Sequence, residues 1–124
     1  MDKIMNLTQH SVVQEQIAAG VIEPAAEIKE KIRKLLTFNS LPSCEEIKAR
    51  AKALAEIVVS SDYDRALIGG APYLMAPLEI ELRKRGVEPL YAFSVRETKE
   101  ERLPDGTVKK ISSFKHAGFI PACR

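Results

Sequence analysis

The chain has 124 residues, of which 45% are apolar and 29% charged. That balance suits one folded domain over residues 1–124 with one core, and it excludes a disordered chain. Its net charge is only +2, and no apolar run approaches the roughly 18–20 residues of a membrane span, so no membrane partner is expected.

The first element is a buried strand beginning Ile4, Met5, Leu7 and ending in the polar group Asn6, Thr8, Gln9, His10. Ser11-Val12-Val13-Gln14 has the spacing of a capping box and predicts a short helix that stops at Gly20. Pro24 suits the first turn of a second helix, whose Ile28, Ile32, Leu35 and Leu36 share one face. A second capping box, Ser43-Cys44-Glu45-Glu46, opens a helix with Ile47, Ala51, Leu54, Ala55 and Val58 at amphipathic spacing. Asp62-Tyr63-Asp64 ends it, and Ala66-Leu67-Ile68 forms a short strand running into Gly69-Gly70-Ala71-Pro72. The next helix closes on Arg83-Lys84-Arg85 before Gly86. A proline deep in a helix clashes with the preceding turn, so regular helix is expected either from Pro77 or with Pro77 in a first turn entered at Pro72. Val87 to Val95 reads as a strand, Pro104-Asp105-Gly106 as a turn, and Thr107 to Ile120 as the returning arm of an antiparallel hairpin. Alternating β and α elements predict an α/β fold, with a mostly parallel sheet and one antiparallel edge.

Charge is uneven along the chain. Residues 1–82 hold 9 Lys/Arg and 12 Asp/Glu, whereas residues 83–124 hold 10 Lys/Arg and 5 Asp/Glu. A basic C-terminal third attracts anions. Its acids are too interleaved for a nucleic-acid-binding tail, so no long nucleic acid is expected as a partner. Cys44 and Cys123 fit neither a metal motif nor a disulfide framework, and no signal peptide is visible. The expected setting is the reducing cytoplasm.

In open α/β sheets ligands bind beyond the C-terminal strand ends, near the reversal of strand order. Gly69-Gly70 lets the backbone turn sharply into a helix whose unpaired N–H groups favour an anion; the plain structural alternative is a tight turn. The glycines form neither a dinucleotide fingerprint nor a Walker loop. His10 is a candidate phosphate donor or general acid–base, or simply a helix-entry residue. Ser94 and Arg96 share one strand face, and Arg96 either takes a phosphate or pairs with Glu97, Glu100 or Glu101. His116 lies on the final strand next to Lys115, as a site residue or a sheet residue with a structural partner. Two histidines without a third ligand give no zinc site, so no metal or other cofactor is expected. The absence of a G-x-S-x-G elbow removes serine hydrolase chemistry.

Three stretches together resemble a known family: Asn6-Leu7-Thr8-Gln9-His10, Gly69-Gly70-Ala71-Pro72, and the ending Tyr91 to Glu97 with Asp105 to Val108 and Phe114 to Phe119. The arrangement is similar to small stand-alone CRISPR-associated proteins related to the CARF domain (CRISPR-associated Rossmann fold). Those carry Ser-His directly after the first strand, where this chain has Gln9-His10. The resemblance implies a small Rossmann-like three-layer sandwich, its mostly parallel sheet ending in an antiparallel β-hairpin. It also implies a homodimer that binds a cyclic oligoadenylate, or another phosphate-bearing ligand, across its two-fold axis. Some members of that family are ring nucleases that switch off a type III CRISPR response; others only bind. Under it Asn6, Thr8, Gln9, Gly69, Gly70, Ala71, Pro72 and Tyr73 hold the ligand. His10, Ser94, Arg96, Lys115 and His116 would assist metal-independent attack by the ligand's own 2′-OH. A non-catalytic sensor or sponge, or an enzyme acting on a nucleotide or sugar phosphate, are the alternatives.

Overall fold

The computed structural model describes residues 3–123. It is a mixed α/β protein whose elements run β1 (Ile4–Leu7), α1 (Gln14–Ala18), β2 (Val21–Ile22), α2 (Ala26–Leu36), α3 (Cys44–Ser60), β3 (Arg65–Ile68), α4 (Pro72–Lys84), β4 (Glu88–Arg102) and β5 (Val108–Pro121). The five strands form one sheet in the order β2-β1-β3-β4-β5. The first three contacts across it are parallel, and β4 with β5 is antiparallel. From β1 the chain passes to β2 on one side and then returns to β3 on the other, so strand order reverses between β1 and β3.

Side-chain alternation on the short strands divides the core between the two sheet faces. Met5, Leu7, Ala66 and Ile68 meet Ile32 and Leu36 of α2, Leu54 and Val58 of α3, and Leu74, Leu78 and Leu82 of α4. On the opposite face Ile4, Val21, Leu67 and Leu90 form a smaller cluster closed by Val12 and Phe119. All three longer helices therefore contribute to one face.

Several expectations hold at residue level. The Ser43 hydroxyl accepts the Glu46 N–H at 3.1 Å and caps α3. Gly20 and Gly86 take positive φ just past their helices, as the stop signals require. At the hairpin turn Asp105 accepts the Thr107 N–H at 3.0 Å.

Others need correction. The helix after β1 is capped at Val13, not Ser11, because Gln16 reaches back to accept the Val13 N–H at 3.1 Å. Pro24 precedes α2 and lies outside its first turn. The α4 helix starts at Pro72, as the second alternative has it, but Pro77 lies within it beyond the first turn. The β4 strand continues to Arg102, well past Val95, because β5 pairs with it along its whole outer length. The sequence reading omitted β2, a strand of 2 residues.

Candidate functional site

The loop after β1 is built on Asn6, which is 1% exposed. Its amide nitrogen donates to the His10 carbonyl at 2.8 Å and to Glu23 Oε1 at 2.8 Å. Its oxygen accepts the Thr8 N–H at 3.1 Å and the Thr8 hydroxyl at 2.7 Å. Every polar atom of the buried amide is thus engaged, as burial demands. Glu23 also accepts the Val12 N–H at 3.1 Å and pairs with Lys29 at 3.3 Å. Partial burial pushes the Glu23 carboxyl up, but the Val12 N–H, the Asn6 amide and the Lys29 ammonium outweigh it and hold the group below the usual carboxylate range. Asn6 and Glu23 together fix the backbone from Thr8 to Val12.

The loop after β3 approaches from the other side. Gly70 has φ +152°, a backbone setting that suits glycine. A side-chain carbon added at Gly69 would meet Thr8 Cγ2 at 3.5 Å, so the two loops are in contact. The α4 helix then starts with no side-chain cap and no acidic residue in its first turn. Such an end leaves N–H groups and the positive end of the helix dipole available to an anion.

Between these loops lies a cavity of about 480 Å³, lined by Thr8, Gln9, His10, Ser11, Gln16, Leu67, Ile68, Gly69, Gly70, Tyr91 and Ala92. It sits at the C-terminal ends of β1 and β3, where strand order reverses, which is the position expected of ligand sites in such sheets. The structure therefore brings together five of the residues singled out from sequence: Thr8, Gln9, His10, Gly69 and Gly70.

The others stand elsewhere. Asn6 lies beneath the cavity as its scaffold. Ala71 and Pro72 form the entry to α4 and are not in the lining. Tyr73 lines a separate cleft with Phe38, Leu41 and Ile47. Ser94 and Arg96 are exposed on β4, opposite His116 and Phe114 of β5. They lie on the same strand face as Ala92, by alternation, but further out along the hairpin. Arg96 donates to the Ser112 hydroxyl at 3.2 Å, and among the described residues it forms no ion pair with Glu97, Glu100 or Glu101. Lys115, opposite Val95, points to the other face of the hairpin from His116. The His116 ring packs on Phe119 at 4.8 Å, and its Nδ1 is shielded from solvent without a hydrogen-bond partner among the described residues.

Sequence reasoning missed Ser11, Gln16, Leu67, Ile68, Tyr91 and Ala92 in the lining. Tyr91 and Ala92 follow Leu90, the last β4 residue paired with β3, so counting sheet partners would have found them. Ser11 and Gln16 carry no such signal, since their place depends on how the Asn6 loop closes.

A family described as "Uncharacterized protein MJ1673 family" matches residues 2–120. The chain belongs to that family. The match spans every residue of the cavity lining. Neither a curated protein nor a solved structure matches the chain. Among the described residues no helix is long and apolar enough to cross a membrane.

Proposed function

We propose that the chain binds a phosphate-bearing nucleotide at the β1/β3 strand ends, and that the ligand is a cyclic oligoadenylate shared by two copies about a two-fold axis. The observation that carries the first part is the cavity of about 480 Å³ between the Asn6-fixed loop and the Gly69-Gly70 turn. Polar side chains and close backbone converge there at a strand-order reversal, and the uncapped start of α4 follows directly on Gly70. The sheet order supports a Rossmann-like, CARF-like domain, and the free, exposed Cys44 and Cys123 suit work in the cytoplasm.

The identity of the ligand rests on the resemblance to CARF-related proteins. A cyclic oligonucleotide presents repeated phosphates, and a two-fold dimer doubles each anion site. In one copy Ser94, Arg96, Lys115 and His116 lie along the hairpin, outside the cavity lining. This favours binding without cleavage, as a sensor or sponge, unless a second copy brings those groups to the ligand.

Titration calorimetry with cyclic tetra- and hexa-adenylate, followed by chromatography of the products in EDTA, tests the reading. Binding with linear products indicates a metal-independent ring nuclease. Binding without products indicates a sponge. Binding of mononucleotides or sugar phosphates in preference to the rings replaces the cyclic ligand with that class. Binding of none of these overturns the proposal.

A further inference from the structure

Beside the strand-end cavity lies a second concavity of about 390 Å³, lined by Phe38, Ser40, Leu41, Pro42, Ile47 and Tyr73. Its surface is mostly carbon, yet it is open to water. Leu41 is 97% exposed and Tyr73 49% exposed. A leucine left nearly bare on a loop, next to a half-bare aromatic ring, is an apolar surface without a partner in the single chain.

The cleft is rigidly built. The Tyr73 ring meets the Phe38 ring edge-on, with centroids 5.2 Å apart. The Arg50 guanidinium lies over the Phe38 ring at 4.1 Å and also donates to the Thr37 carbonyl. Arg50 is in turn held by Glu46 at 2.9 Å. The wall formed by Phe38 and Tyr73 is thus fixed from behind, and Tyr73 keeps about half of its surface free for a ligand.

The two linings share no residue, but two short links connect them. The Gln9 amide of the first donates to the Thr37 hydroxyl at 3.4 Å, and Thr37 precedes Phe38 of the second. Gly70 of the first is followed directly by Ala71, Pro72 and Tyr73. The first concavity is polar and lies beside a helix start; the second is apolar and aromatic. Phosphate–sugar on one side and a planar base on the other match this division, because every nucleobase has a π-face that stacks on aromatic rings.

We infer that the Phe38–Leu41–Tyr73 cleft is the base-binding half of the site, stacking the nucleobase of a ligand whose phosphate occupies the cavity between Thr8 and Gly70. This rests on the nucleotide reading above and gives Tyr73 a place in it: the residue touches the ligand through the base and not through the phosphate.

The test compares adenosine 5′-diphosphate, ribose 5-phosphate and inorganic pyrophosphate by calorimetry on the wild-type chain and on Tyr73→Ala, Tyr73→Phe and Leu41→Ser. Tyr73→Ala is expected to weaken adenosine diphosphate by about tenfold or more and to leave the two base-free probes unchanged. Tyr73→Phe keeps the ring and should retain wild-type affinity. Leu41→Ser alters a fully solvated side chain, so the fold is intact, and it should cost adenosine diphosphate alone a severalfold loss. If the variants bind adenosine diphosphate as well as wild type does, or lose the base-free probes equally, the base subsite is wrong while the phosphate cavity stands. If wild type binds neither the three probes nor cyclic tetra-adenylate, the phosphate cavity itself fails and the subsite falls with it.

Discussion

The Asn6 side-chain nitrogen and a Glu23 carboxylate oxygen meet at 2.8 Å across the two neighbouring strand ends of β1 and β2. Asn6 reaches the His10 carbonyl with its other hydrogen, at 2.8 Å. One buried amide therefore joins the edge of the sheet to the loop that lines the cavity, and the loop's shape depends on a residue that does not face the ligand.

Replacing that amide should be felt in both stability and loop order. Asn6→Ala takes the acceptor from the Thr8 N–H and one donor each from the His10 carbonyl and the Glu23 carboxylate, a loss of about 1–3 kcal/mol. Urea unfolding should show the lower midpoint with an unchanged slope. Amide hydrogen exchange should speed up at Thr8 to Val12 beyond the global change. Uniform exchange would show that Asn6 supports the sheet and not the loop.

Glu23 makes this support pH-dependent. Its folded carboxyl sits below the usual range, through donation from Val12, Asn6 and Lys29 that outweighs desolvation. A group lowered in the folded state contributes stability that is present above the unfolded pKa and is lost as pH falls through the folded one. The urea midpoint gap between wild type and Glu23→Gln should thus be full near neutrality and shrink as pH drops through and below the ordinary carboxylate range. A gap that holds constant in acid would mean that Glu23 acts by shape alone.

The two glycines of the β3 turn should separate. Gly70 has φ +152°, so Gly70→Ala strains the backbone even though the nearest side-chain atoms stand 3.5 Å and 3.6 Å away. A cost of about 1–3 kcal/mol is expected in denaturant unfolding. Gly69→Ala meets Thr8 only at ordinary contact distance, 3.5 Å. It should change stability by less than about 1 kcal/mol while narrowing the cavity, which calorimetry with pyrophosphate would register as weaker binding. Equal stability of the two variants would remove the conformational reason for a glycine at 70.

Arg96 tests whether the hairpin shares in binding. It is exposed, and its side chain donates to Ser112 at 3.2 Å, so Arg96→Ala should alter stability by no more than about 0.5 kcal/mol. If two copies close the arm over one ligand, affinity for cyclic tetra-adenylate should fall on the order of tenfold to hundredfold. Unchanged affinity would confine Arg96 to its bond with Ser112.

Local chemistry in the sequence determined the long helices, the short apolar strands and the hairpin. Ser43 caps α3, Gly86 ends α4, and Asp105-Gly106 turns the hairpin through forces that act within a few residues, so the chain states them openly. The tertiary structure decided what pairs over distance. Val21-Ile22 is a strand only because β1 offers it an edge, and two residues carry no periodicity to read. The meeting of Thr8 to Ser11 with Gly69-Gly70, the hold of Glu23 on Asn6, and the turning of Tyr73 into a neighbouring cleft all follow from strand order. That order is set by burying one shared core on the sheet, and no short stretch of sequence contains it.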